Sequence, residues 1–126
     1  METYDDWTGW DDDAIAERWI VETRERKPSS GVTALLELTS QDPERCWRIV
    51  LAVLEKVDDD GAWLLANVGA GPLEDLLNQH GPVFIDRFVL QARRDRRFRA
   101  AAASIWPSSD VDAALWKRLS VLLGPA

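Results

Sequence analysis

The chain has one cysteine, one histidine and one methionine in 126 residues. A lone Cys46 cannot form an internal disulfide and leaves no cysteine-based zinc centre. It reads as a small buried apolar group. A lone His80 leaves only carboxylates to complete a metal site, which is not a usual zinc set. No window reaches the roughly 18 continuous apolar residues of a membrane span, and the acidic N-terminus lacks the apolar run of a signal peptide. A bacterial-type cytoplasm is the expected location. Strand signals are also scarce: Val32-Thr33 and the run from Val83 to Val89 both sit inside helical spacing. There is no Gly-x-Ser-x-Gly nucleophile turn. Gly69-Ala70-Gly71-Pro72 lacks the lysine and the preceding strand of a phosphate loop. Asp58-Asp59-Asp60-Gly61 lacks the alternating ligands and closing glutamate of a calcium loop, and reads as a helix cap. No metal or cofactor is expected.

What is present is acid, tryptophan and helical periodicity. The net charge of −7 argues against general nucleic-acid affinity. The charge is uneven: residues 1–75 carry 18 acids and 7 bases, residues 76–126 carry 4 acids and 8 bases. Either the two parts attract one another or the basic part faces an acidic partner. The length suits one domain with one core. Met1–Trp10 reads as an acidic arm containing Trp7 and Trp10, and residues 11–126 as a single helical domain.

The fold class is all-α: about eight short helices in antiparallel hairpins, as a compact orthogonal bundle or a small HEAT-like stack. Asp11, Asp12 and Asp13 are candidate caps of a first helix running to about Lys27, whose charged end from Glu22 onward reads as solvated. Pro28–Gly31 is a loop. A short helix follows through Val32, Leu35, Leu36 and Leu38. Asp42-Pro43-Glu44 opens the clearest helix, whose wide apolar arc includes Trp47, Val50, Leu51 and Leu54. A further short helix carries Trp63, Leu64 and Val68. Asp95 caps a helix reaching Trp106, and Asp110 caps the last one.

The stretch from Gly71 to Arg87 organises the middle. Pro72 and Pro82 each suit the first turn of a helix, and Gly81 suits the left-handed position that closes one. The spacing predicts a short helix, a sharp corner and a second helix. Around that corner lie Glu74, Asp75, His80, Asp86, Arg87, Asp95 and Arg97. As a site, they would offer a carboxylate and a histidine for proton transfer, with arginines to hold an anion. As structure, they would form an ion-pair and capping network, with Arg87 or Arg97 binding Glu74 or Asp75 and His80 capping its own helix. The structural reading is preferred.

Several of these blocks resemble a known bacterial family. They are Asp42-Pro43-Glu44 with Trp47, then Ala70-Gly71-Pro72-Leu73-Glu74-Asp75-Leu76-Leu77, His80-Gly81 and Phe84-Ile85-Asp86-Arg87. Asp95 with Arg97-Phe98-Arg99, and then Trp106, complete the set. The family is domain of unknown function 6869, and the resemblance covers Leu35 to Trp116. Arg96 stands where that pattern has a proline. The resemblance implies a small helical protein and no particular activity.

The expected function follows from these readings: an interaction protein of inhibitor, immunity or adaptor type. Its candidate surface is Trp7, Trp10, Asp11, Asp12 and Asp13, facing a basic protein partner. Trp19, Trp47, Trp63, Trp106 and Trp116 read as core. The alternative is an enzyme or small-ligand binder centred on Glu74, His80 and Asp86 with arginine support.

Overall fold

A computed structural model describes residues 6–58 and 61–124. Among them every regular element is helical and there is no strand. The chain falls into two compact units, residues 1–59 and 60–126. Each unit is taken by itself.

The first unit begins with a 3₁₀ turn, Trp7–Gly9, capped by the Asp6 carboxylate. Helix α1 (Asp12–Glu25) follows, with Asp11 as its cap: the Ala14 N–H donates to Asp11 Oδ1 at 2.7 Å. Helix α2 (Ser30–Gln41) begins inside the expected loop, and α3 (Pro43–Lys56) begins where Asp42 and Pro43 place it. Each of the three contacts the other two. Ile15, Trp19, Leu35, Trp47, Val50 and Leu54 are buried, as is Cys46, whose sulfur lies 3.5 Å from Thr39 Oγ1. Trp7 is buried at 5% exposure, so the described part of the expected arm is folded onto this unit.

Glu22 holds the α1–α2 turn and is not solvated; it is 4% exposed. Its carboxylate accepts hydrogen bonds from the N–H groups of Ser29 (2.7 Å), Gly31 (2.8 Å) and Val32 (3.0 Å). Arg18 Nε donates to it from one helical turn earlier, at 3.2 Å. Its backbone carbonyl accepts from Lys27 at 2.9 Å and so closes α1, with Arg26 in the left-handed region at φ 58°. One residue thus ends one helix and starts the next. Ser29, in the cap position of α2, makes no side-chain cap bond, because Glu22 supplies the acceptor from outside.

The second unit contains α4 (Ala62–Val68), a π turn (Gly69–Leu73), α5 (Glu74–Arg94), α6 (Arg96–Ala102) and α7 (Ala113–Ser120). Residues 62–94 form one helical run with a π turn at 69–73 and a kink at His80, so the described chain has six helical segments rather than about eight. Gly69-Ala70-Gly71 does not act as a joint. Pro72 has no N–H to give, and the chain widens by one residue around it: the Glu74 N–H reaches back to Gly69 O. The close approach of α6 sets the side of that turn. A Cβ on Gly69 would lie 1.7 Å from the Ala101 carbonyl oxygen.

The sharp corner is a kink inside α5. His80 leaves the helical region at φ −135°, ψ 26°, two residues before Pro82, which cannot bond back to Asn78. Among the described glycines only Gly124 has positive φ, so Gly81 does not close a helix in the left-handed region. A Cβ there would touch Leu115 at 3.7 Å and Leu77 at 3.9 Å, which is ordinary contact. Gly81→Ala is therefore expected to leave the urea midpoint unchanged, or to raise stability by up to about 1 kcal/mol through helix propensity. A loss larger than that would mean the kink needs glycine. Beyond the kink, α5 buries Phe84, Ile85, Phe88 and Val89, and Phe88 meets Phe98 of α6 edge to face at 5.5 Å. Asp95 caps α6 through the N–H groups of Arg97 and Phe98. Asp112, not Asp110, caps α7. No helix among the described residues is long and apolar enough to cross a membrane.

Candidate functional site

The polar residues expected to gather at the corner are committed to separate tasks. Glu74, in the first turn of α5, accepts from the Trp106 backbone N–H at 2.7 Å. That contact replaces the expected pairing of Glu74 with Arg87 or Arg97. Burial first, and then the charge of Glu74, push the Asp75 carboxyl above its usual range. Asp86 is exposed and pairs with Arg118 Nη2 at 2.6 Å. The Arg87 guanidinium lies over the Phe84 ring at 4.8 Å, and the His80 ring is tilted against Phe84 at 6.3 Å. Asp95 caps α6 and accepts from Gln91 Nε2 at 3.1 Å, with Arg97 in that helix's first turn. Glu74 and Asp86 are twelve positions apart on opposite sides of the kink. The described residues hold no group of three or more side chains fit for a metal ion.

The N-terminal candidates are likewise tied into the first unit. Arg45 Nε and Arg48 Nε donate to Asp12 at 2.9 and 3.3 Å. Burial pushes the Asp12 carboxyl up, but these hydrogen bonds and charges outweigh it, and its pKa lies below the ordinary range. Asp13 pairs with Lys56 at 3.5 Å, and Asp11 caps α1. Trp7 is buried; Trp10 is half-exposed.

The aromatic that stands out lies in the second unit. Trp106 is 83% exposed, and Trp63 is 46% exposed, although both spacings pointed inward. Trp19 and Trp47 are buried as expected, and Trp116 is intermediate. Helix α6 stops at Ala102, four residues before Trp106, so helical spacing no longer governs where that side chain lies. Pro107 marks the expected stop of this helix, but the residue before a proline is itself pushed out of the helical region.

The Trp106 loop is held by its backbone. Glu74 takes the N–H of Trp106, and Asn78, one turn further along α5, takes the N–H of Ser108 at 3.0 Å. Ile105 on one side is buried, and its N–H bonds to Ala102 O at 3.0 Å. Val111 N–H closes a turn onto Ser108 O at 3.1 Å. The side chains of α5 thus accept from N–H groups of the loop that follows α6, and the indole on that loop is given to solvent.

No curated protein and no solved structure matches the chain. The sequence pattern of DUF6869, a family of unknown function, matches residues 21–123, a wider span than the blocks that suggested it. The matched span contains Glu22, Glu74, Asn78 and Trp106 and leaves out Trp7 and Trp10. With most of its length matched in this way, the chain belongs to the DUF6869 family.

Proposed function

We propose that the protein is a cytoplasmic, non-enzymatic interaction module, of inhibitor, immunity or adaptor type, that engages a protein partner through Trp106. The observation that carries this reading is the exposure of the Trp106 side chain on a loop whose backbone is fixed by Glu74 and Asn78. Tryptophan leads the residue types that dominate interface energies. A loop already held in place loses less freedom on association, so more of the contact energy appears as affinity. A buried lone thiol and the lack of a membrane-crossing helix among the described residues support the location. The reading as an enzyme or ligand binder at Glu74, His80 and Asp86 has no such support, since Glu74 serves the Trp106 loop and Asp86 serves Arg118.

The test is capture of partners from cells of the protein's own source by the wild-type chain and by Trp106→Ala. The variant removes a solvated side chain, so its unfolding midpoint should stay put. Partner affinity should fall about thirtyfold, equivalent to the ~2 kcal/mol of a hot-spot truncation. Identical protein sets captured with equal affinity by both chains would refute the proposal.

A further inference from the structure

The outer face of α1 and the chain leading into it enclose an open groove of about 340 Å³. Its lining is Trp10, Ala14, Glu17, Arg18 and Val21. The last four fall at helical spacing on one face, while Ile15, Trp19 and Glu22 on the other are buried. Trp10 forms the wall at the start of the helix. Its carbonyl is held by Arg45 Nη2 at 2.7 Å, and its ring lies 5.6 Å from the Arg18 guanidinium. Ala14 keeps the floor low. Val21, half-exposed, stands two turns on, about 10 Å away at 1.5 Å per residue. That is the length over which a facing helix sets down its apolar positions i, i+3 or i+4, and i+7.

The rim decides the sign of the occupant. Asp13 and Glu17, one turn apart, keep 73% and 69% of their side chains exposed. They share one ammonium, Lys56, at 3.5 and 3.8 Å, and Arg18, the cation in the lining, is paired with the Glu22 carboxylate at 3.2 Å, so these five groups leave one negative charge at the edge. Residues 1–59 carry 15 acids against 7 bases. A positive partner is drawn to such a surface and a negative one repelled.

We propose that this groove seats a basic amphipathic helix of a partner protein. An apolar side chain of that helix lies on Ala14 between Trp10 and Val21, and its lysines or arginines reach Asp13 and Glu17. The proposal rests on the reading of the protein as an interaction module, but it uses a surface separate from Trp106 and gives the partner's chemistry.

The test uses the full chain and a fluorescent peptide of about 14 residues built from leucine and lysine in helical spacing, with a leucine–glutamate peptide as its counterpart. Anisotropy titrations at about 50 mM and about 200 mM salt read the affinity. Trp10→Ala removes the wall and Ala14→Phe fills the floor; neither changes the charge, so unspecific attraction to the acidic unit is untouched. The lysine peptide should bind, more weakly at the higher salt, and each variant should weaken it about tenfold with its unfolding midpoint unchanged. Should Trp10→Ala fail to fold, Ala14→Phe decides. Trp106→Ala should bind the peptide as the wild type does, which separates failure of the groove from failure of the Trp106 surface. Equal binding by wild type and Ala14→Phe would overturn the proposal, as would preference for the glutamate peptide. Self-association of the wild type that Ala14→Phe abolishes would do the same, because the occupant would then be a second copy.

Discussion

Glu22→Ala should lower the stability of the first unit by about 3–5 kcal/mol, the scale seen when one member of a buried charged network is removed. The carboxylate accepts three backbone N–H groups at the start of α2 and sits beside Arg18. Water cannot take its place without opening the turn, because Gly31 is packed against α1. A Cβ at that glycine would lie 2.7 Å from the Trp19 backbone nitrogen. A loss of that size is a large share of the stability of a small unit. Urea unfolding followed by circular dichroism gives the number, and the m-value shows whether the transition stays two-state. Glu22→Gln keeps one acceptor oxygen and should fall between wild type and alanine. A change below about 1 kcal/mol for Glu22→Ala would show that the α2 start is held by something other than this carboxylate.

Gly69→Ala should be the most damaging single substitution in the second unit. The added methyl would meet the Ala101 carbonyl oxygen at 1.7 Å and Ser104 Cβ at 3.1 Å. The first of these is a backbone atom inside α6, so no side-chain rotation relieves it. The π turn and α6 must move apart, and Ala101 and Ala102, both fully buried, would lose their packing. Overpacking of this kind costs about 1–3 kcal/mol in most cores and more where backbone meets backbone. The helix-propensity gain of about 1 kcal/mol from alanine does not offset it. Thermal unfolding, with amide exchange along α6 as a local readout, checks the expectation. An unchanged midpoint would mean that the π turn and α6 are not in the contact described. Gly81→Ala is the matched control, since its Cβ finds ordinary contacts.

These two glycines mark where sequence reasoning reached its limit. Helix starts are legible at three aspartates: Asp11, Asp42 and Asp95 each accept the expected N–H bond, whereas α4 starts after Gly61 with no side-chain cap bond. Capping is local and needs only neighbours in sequence. The start of α7 was misplaced by two residues because Asp110 and Asp112 are both competent caps. Glu22 looked like one of several charges on a solvated end. Its partners are seven to ten residues away, beyond a loop, and only the folded turn brings them to it. Gly69 and Gly71 looked alike in sequence. One is pressed against Ala101 and the other has open space beyond its Cα, a difference made by the approach of α6.

The candidate sites divide in the same way. Residue types at the corner suggested one polar centre, but carboxylates spread along a kinked helix serve whichever backbone or arginine lies nearest. Glu74 is expected to pair with an arginine, and its partner in the structure is the Trp106 backbone N–H. Helical spacing through the alanine-rich run points Trp106 toward the core. The end of α6 at Ala102, and Pro107 after the indole, place it outside. Trp7 stands among acids, which suggests a surface anchor, but it is buried, next to the Asp6 cap of its 3₁₀ turn.

The π turn at residues 69–73 has a bearing on how this chain can change length. One residue more than an α-helix needs is stored there, between two stretches that are otherwise in regular register. Deleting a single residue such as Ala70 would restore ordinary helical bonding. The wide turn takes up that residue within about one turn, so the helix beyond it would keep its phase, and Leu76, Leu77, Phe84 and Glu74 would keep their present neighbours. A deletion elsewhere in α4 or α5 has no such slack: it would rotate everything beyond it by about 100°, one residue's share of a helical turn.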